Sequence, residues 1–282
     1  MKRLHIVPGL SEACNGIAAA AKCIAEEQNA LCFEAAGFDE ARFGDVDEVW
    51  VHSCWTPIVW RACHIVLREG KRLVRMLHGN LDPVRLHYHR WKKRIVSPID
   101  KYFLRRADYV VATCNAEAEW IRGFEPDVRE IRIIDLKRFF TVPTTQHESL
   151  PKDRPIHLLY MGRRHPLKGL EFLEEAIKGV GNVDLRAVSN AFGDAKEAVW
   201  QWTDVLVLPT LSDNFGLVVA EALERGKLVI TTDGAPAWGD GNTYGGRLTY
   251  LRGYRCGSVA ERLELLREAI AYVAPRYGLR MS

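Results

Sequence analysis

Two carboxylates eight positions apart, Asp213 and Glu221, bracket the segment SDNFGLVVAE at residues 212–221. Ser212, Asp213 and Asn214 are residue types that cap helix N-termini, and Gly216 permits close backbone approach. The amides of Gly216 and Leu217 would then be free donors at a helix terminus, which favours a diphosphate. One acid lies on the loop and the other about two turns into the helix, so they reach hydroxyls on opposite sides of such a phosphate. The bare pattern also fits a capped amphipathic helix with surface acids. Upstream, MGRRHPLKGLEFLEEAI (161–177) sets Arg163 and Lys168 before a second helix, where they would make charge-assisted contacts to the same diphosphate. Singly, such cations are ordinary solvated charges; two strand-end sites in one half of the chain favour a phosphate pocket.

The histidines divide by context. His78 closes the apolar run RLVRMLHG (72–79), where it either faces a ligand or makes a buried structural hydrogen bond. His5, His52 and His64 fall in or beside core elements and read as packed. His87 and His89 belong to RLHYHRWKKR (85–94), a basic stretch interleaved with Tyr88 and Trp91. It fits a solvated helix face, a surface for anionic lipid or a phosphate-bearing acceptor, or a nucleic-acid patch. Asp82 either contacts an acceptor or caps the following helix.

The elements that must position these groups alternate between short β-rich runs and helical patterns, as in parallel α/β construction. LHIV (4–7), VDEVWVHS (46–53), RLVRMLHG (72–79) and ADYVVATC (107–114) read as strands. IAAAAKCIAEEQ (17–28), PIVWRACHIVLREG (57–70) and AEAEWIRGF (116–124) read as helices. FTVPTTQHESLPKDRP lacks either periodicity and reads as a linker. A second series follows: strands at IHLLYMG (156–162), VDLRAV (183–188), DVLVLPT (204–210) and KLVITTD (227–233), and helices at 170–180, 216–226 and 259–274. The segment 236–257 is rich in glycine and aromatic residues. It reads as a close-packed loop with little regular structure that either shapes a ligand pocket or forms a surface excursion.

Length and composition bound the rest. A chain of 282 residues accommodates two domains of about 130–150 residues. With 48% hydrophobic and 27% charged residues, a sizeable core is expected and wholesale disorder is not. A net charge of +3 implies no nucleic-acid partner by itself. The seven cysteines form no CxxC pair, against a disulfide framework or a structural zinc site and in favour of a reducing cytoplasm. The apolar opening MKRLHIVPG is too short for a signal segment, and no run approaches the ~20 apolar residues that span a bilayer. Action at a membrane would be from its surface.

Taken together, GR…KG at 162–169, PT at 209–210 and DNFGLVVAEAL at 213–223 resemble the family 4 retaining glycosyltransferases, whose hallmark is an acid, seven residues and a glutamate. In the first half, SCWTP (53–57), HGNLDP (78–83), RWKKR (90–94) and LRRADYVVATCNAEAEWI (104–121) resemble the branch that builds bacterial lipopolysaccharide, capsule and related surface glycans. The resemblance covers nearly the whole chain. It implies an α/β architecture with two Rossmann-like domains facing across a cleft (GT-B): an acceptor-side domain at 1–140, a linker at 141–154 and a donor-binding domain at 155–282.

The resemblance also assigns roles. Arg163 and Lys168 would neutralise the departing nucleoside diphosphate, and Glu221 would bind the ribose hydroxyls. Asp213 and the amides of Phe215, Gly216 and Leu217 would hold the transferred sugar. His78 would contact that sugar from the other domain, and Gly16 would let the first loop approach the phosphates. Asp82 and Arg85 are acceptor-side candidates. Asp213 stands where a glutamate is more usual, shortening the reach by one methylene, and the first loop, GLSEACNG, lacks the double glycine common there. The implied reaction is hexosyl transfer with retention, without a metal or cofactor. Its donor is a nucleotide-sugar and its acceptor a glycan or glycolipid, in the cytoplasm or at the inner face of the membrane.

Two other classes fit the same residues: a non-catalytic nucleotide-sugar-binding or scaffold protein, and a GT-B sugar-nucleotide epimerase. An oxidoreductase is disfavoured because no G-x-G-x-x-G follows the first strand.

Overall fold

The computed structural model describes residues 1–10, 16–38, 44–88, 90–143, 150, 154–189 and 191–273. The chain divides into two compact units, Met1–Phe139 and Phe140–Ser282.

In the first unit the strands are β1 (Arg3–Val7), β2 (Leu31–Glu34), β3 (Glu48–His52), β4 (Arg72–Met76), β5 (Tyr109–Ala112) and β6 (Ile131–Ile133). They form one sheet in the order β2-β1-β3-β4-β5-β6, parallel at every pairing. The crossovers carry α1 (Gly16–Glu27), α2 (Pro57–Arg68), α3 (Pro83–His87), α4 (Arg90–Arg106) and α5 (Asn115–Phe124). All residues of β3 and β5 are buried, as expected for strands covered on both faces. Pro57 opens α2 at a position where its missing N–H costs nothing.

The second unit repeats the plan. Its strands are β7 (Ile156–Met161), β8 (Val183–Val188), β9 (Val205–Leu208), β10 (Leu228–Thr232) and β11 (Leu248–Leu251). They form a parallel sheet in the order β11-β10-β9-β7-β8. Its helices are α6 (Leu170–Ala176), α7 (Gly193–Trp202), α8 (Leu217–Glu224) and α9 (Val259–Val273). A core of Leu158, Tyr160, Leu173, Val205, Val207, Ile230 and Ile270 joins the sheet to α6 and α9.

In both units the first and third strands are neighbours while the second lies outside the first. The chain therefore crosses over in opposite directions from β1 and β3, and again from β7 and β9. Ligands of open parallel sheets bind outside the carboxyl ends of the strands at such reversals.

Several expectations change. The strand expected to end at His78 stops at Met76, and His78 follows in a left-handed turn with φ +52°. The segment 236–257 contains an edge strand, β11, preceded by a short 3-10 turn at Pro236–Trp238. Strands β2 and β6 and helix α7 were not anticipated. The stretch 85–94 is split between α3 and α4, and His89 lies outside the described residues. Much of the expected linker 141–154, and most of the first loop before Gly16, also lie outside them.

Candidate functional site

Three strand-end loops of the second unit are laced together by backbone contacts. After β7, the Tyr160 hydroxyl donates to the Arg163 carbonyl (2.9 Å), and His165 Nδ1 accepts from the Leu167 amide (3.2 Å), closing the turn that presents Lys168. Gly169 then adopts φ +74° directly against β9's exit: a Cβ there would stand 2.1 Å from the Pro209 carbonyl oxygen. Leu167 O accepts from the Leu211 amide (2.8 Å) and the Thr210 hydroxyl (3.0 Å). The loop after β10 joins in, with the Asp213 amide donating to Gly234 O (2.7 Å) and the Thr232 hydroxyl donating to Thr210 O. A Cβ on Gly234 would stand 2.0 Å from that same carbonyl oxygen. These positions admit only glycine because two backbones meet there.

Lys168 is buried, and its Nζ lies 2.5 Å from Asp213 Oδ2 and 3.4 Å from Ser212 O. The other Asp213 oxygen accepts from the Gly216 amide (3.2 Å). Asp213 thus bridges the cation of one loop and the start of α8. Gly216 takes φ +66°, turning the chain into α8, whose first amides point to the same edge of the sheet. Arg163 is exposed on the loop after β7.

Behind the loop, Trp238 donates its indole N–H to the Phe215 carbonyl, and the two rings pack at 5.2 Å. Phe140 also stacks on Phe215, at 6.1 Å. The aromatic segment 236–257 therefore supports the 212–217 loop through Trp238. Asp233 holds its far end by accepting from the Gly253 (2.9 Å) and Arg255 (2.8 Å) amides. On α8, the Glu221 carboxylate pairs with Lys196 of α7, at 2.7 and 2.8 Å to its two oxygens. Lys196 escaped the sequence reading because it sits inside a helix without a recognisable cap.

The first unit holds the remaining candidates. His78 is buried, and its Nε2 lies 2.8 Å from His52 Nδ1; desolvation takes its pKa down to about 3. The turn after it is fixed by Glu117 of α5. That carboxylate accepts from the Gly79 amide (2.5 Å) and from the Thr113 amide and hydroxyl (2.8 and 2.9 Å). Asp82 is buried and caps α3 by accepting from the Val84 amide (2.8 Å), the structural alternative for this residue. Arg85 donates to the Asn80 side chain (3.3 Å). Gly16 begins α1, while the loop before it lies outside the described residues.

One Asp-x-Asp spacing, Asp45 and Asp47, escaped the sequence reading. Both precede β3 at the amino edge of the sheet; Asp45 pairs with Lys2 (2.9 Å) and Asp47 accepts from the Lys2 amide (2.7 Å). Among the described residues no group of three or more His, Cys, Asp or Glu side chains has metal-binding geometry. None of the described helices is long and apolar enough to cross a membrane.

Each half of the chain matches a family of known proteins. Residues 18–136 match a family model described as "Glycosyl transferase 4-like domain", and residues 146–249 match one described as "Glycosyl transferases group 1". No curated protein matches the chain in sequence. Among solved structures, sucrose-phosphate synthase from Thermosynechococcus elongatus superposes with a TM-score of 0.67 at 13% identity, covering 97% of this chain and 91% of that one. Anabaena HepE in complex with UDP superposes with a TM-score of 0.61 at 15% identity, covering 98% and 96%. Its complex with UDP-glucose gives 0.62 at 14% identity, covering 97% and 91%. The likeness to these structures is one of fold, two Rossmann-like parallel sheets in sequence. With a family match on each half, the chain belongs to the GT-B glycosyltransferases, joining a glycosyl transferase 4-like domain to a glycosyl transferases group 1 domain.

Proposed function

We propose that this protein moves a hexosyl unit from a nucleotide-sugar to a hydroxyl of a growing cell-surface glycan of the lipopolysaccharide or capsule type, with retention and without a metal. The observation that carries the donor part is the meeting of Lys168, Asp213 and the start of α8 beside the β7–β9 reversal. A diphosphate placed there meets Lys168, the exposed charge of Arg163 and the amides of Leu217 and Val218. These together offset the negative charge that grows on the leaving group. Solved structures of similar fold carry UDP and UDP-glucose, which supports a nucleotide-sugar as donor.

In this scheme Asp213, held by the Gly216 amide, orients the transferred sugar together with the Phe215 and Leu217 amides, and Glu221 holds the ribose. His78 contacts the sugar and Gly16 adjoins the phosphates. Asp82 and Arg85 stand on the acceptor side. The bond from the anomeric carbon to the diphosphate oxygen breaks as the acceptor oxygen bonds to the same face of that carbon. The acceptor's proton passes to the departing diphosphate oxygen, so no enzymic nucleophile is consumed.

For the acceptor, helix α4 exposes Trp91, Ile95, Ile99 and Tyr102, spaced three or four residues apart along one side. Arg90, Lys92, Arg94, Arg105 and Arg106 are exposed around them. An apolar stripe rimmed by cations suits an anionic membrane surface presenting a glycolipid, reached from the cytoplasmic side.

Donor turnover by folded Lys168→Ala and Glu221→Ala proteins tests the proposal: both are expected to be severely impaired, and undiminished rates in both would refute it. Interconversion of the donor's sugar without any acceptor would instead indicate an epimerase. Nucleotide binding with neither transfer nor release would indicate a scaffold.

A further inference from the structure

Three imidazoles run in file through the core of the first unit. His5 on β1 is in register with Trp50 on β3, and His52 lies two residues further along β3, hence on the same face. His52 is in turn in register with Met76 on β4, and His78 lies two residues beyond it. His5 Nδ1 and His52 Nε2 are 2.9 Å apart, and His52 Nδ1 and His78 Nε2 are 2.8 Å apart. Successive rings stack at 5.2 and 5.1 Å with interplanar angles of 30° and 27°. At the far end, His5 Nε2 lies 3.1 Å from the Gln28 side-chain carbonyl oxygen, one residue past α1. His5 and His52 have no exposed surface, whereas His78 keeps 9%. Among the described residues, His78 Nδ1 has no hydrogen-bond partner.

A neutral imidazole has one donor nitrogen and one acceptor nitrogen, so each nitrogen-to-nitrogen contact requires one of each. The file consequently has a direction, and the group at its closed end chooses it. A glutamine amide can turn either its oxygen or its NH2 to a neighbour; with the oxygen facing His5, as it stands here, His5 Nε2 carries its proton and His5 Nδ1 accepts. His52 Nε2 then donates to His5, and His78 Nε2 donates to His52. The remaining nitrogen, His78 Nδ1, is left with a lone pair.

We propose that Gln28, His5 and His52 are positioning residues that fix the tautomer of His78, so that its Nδ1 accepts a hydrogen bond from a hydroxyl of the donor's sugar. The sugar contact rests on the reading of His78 under Proposed function; the tautomer does not. A protonated His5 or His52 would set two donors face to face, a proton on His78 Nδ1 would take the lone pair that the sugar hydroxyl needs, and the surroundings oppose all three. Burial holds His5 at about 4 and His78 at about 3, and lowers His52 as well. Arg3 acts on His5 in the same direction, Glu48 against it, and Arg75 lowers His52.

The test is the tautomer itself, read by long-range proton–nitrogen correlation on protein labelled with nitrogen-15 in histidine, without ligand. In the wild type His5, His52 and His78 are each expected to be neutral and protonated on Nε2. Gln28→Glu, still an acceptor, should preserve this pattern. Gln28→Lys offers only donors and should reverse the file, moving the proton of all three rings to Nδ1. It should also raise the KM for the nucleotide-sugar, by up to about tenfold, because the sugar hydroxyl must turn from donor to acceptor at Nδ1 and gives up the orientation the site is built for. A wild-type His78 protonated on Nδ1 would overturn the inference even if Gln28→Lys does not fold. So would a folded Gln28→Lys protein whose His78 remains protonated on Nε2, or whose rings reverse without any change in KM. Failure of the glycosyltransfer reading would appear separately, as a wild-type protein with the expected tautomers and no transfer.

Discussion

Lys168 Nζ and Asp213 Oδ2 stand 2.5 Å apart, joining the loops after β7 and β9 at the point where the strand order reverses. The two side chains are 11% and 25% exposed, so the pair is sheltered but open at one edge. A diphosphate entering this edge must share Lys168 with a carboxylate already in place.

That sharing gives opposite effects for the two partners. Asp213→Asn should bind the free nucleoside diphosphate a few-fold more tightly, since one negative charge is removed, while transferring sugar more slowly. Lys168→Ala should weaken nucleotide binding and lower kcat/KM by about 10²-fold, the scale for losing one group that stabilises developing charge. Calorimetric titration with the nucleotide and steady-state transfer assays separate these outcomes.

The glycine at the crossing of the two loops should be irreplaceable. Gly169→Ala adds a Cβ 2.1 Å from Pro209 O on top of a left-handed backbone. Gly179→Ala meets the same backbone penalty, φ +88°, with nothing within 4 Å. Urea unfolding should show a loss of about 1 kcal/mol for Gly179→Ala and a further loss of about 1–3 kcal/mol for Gly169→Ala.

Trp238→Phe keeps a ring against Phe215 but removes the indole N–H from the Phe215 carbonyl. A buried carbonyl left unpaired costs about 1–3 kcal/mol. The variant should therefore be less stable to urea, and a loosened 212–217 loop should raise the donor KM several-fold.

Acid should weaken the first unit as its buried imidazoles take up protons. His5 falls from 6.5 in the unfolded chain to about 4 when folded, so between these values the unfolded chain binds more protons. Stability is then complete above pH 6.5, falls as the pH drops towards 4, and loses on the order of 3 kcal/mol at this site. His78, at about 3, extends the loss in the same direction. His5→Phe should flatten the dependence of urea stability on pH between 6.5 and 4; an unchanged slope would contradict the neutral, buried imidazole.

If α4 meets anionic lipid, replacing Trp91 and Ile95, 64% and 69% exposed, with serine should reduce sedimentation with phosphatidylglycerol vesicles. Added salt should weaken binding of the wild type, because Debye screening acts on the basic rim.

The alternating α/β plan was legible because the central strands are nearly continuous apolar runs: VWVH in β3, YVVA in β5 and VLVL in β9 are buried on both faces. Strands β2, β6 and β11 lie at sheet margins, where part of each strand faces solvent and no such run is required. The charges of the candidate site were legible as residue types in strand-end loops. Their pairing was not, since Lys168 meets Asp213 only because β7 lies beside β9. Likewise His5 and His52 were each readable as core, but their connection to His78 depends on strand register. The strand expected through His78 ended early because the chain turns left-handed there to place Gly79 on Glu117.

A nucleotide-sugar's diphosphate is expected to sit at the start of α8 beside Lys168. The most direct measurement is titration with UDP-, GDP- and ADP-sugars while backbone amide resonances are followed. One of these donors should shift the amides of Gly216, Leu217 and Val218, together with those of the loop that carries Arg163 and Lys168, and Lys168→Ala should abolish the response. Binding that perturbs other regions and spares residues 212–218, or saturating binding left intact by Lys168→Ala, would contradict it.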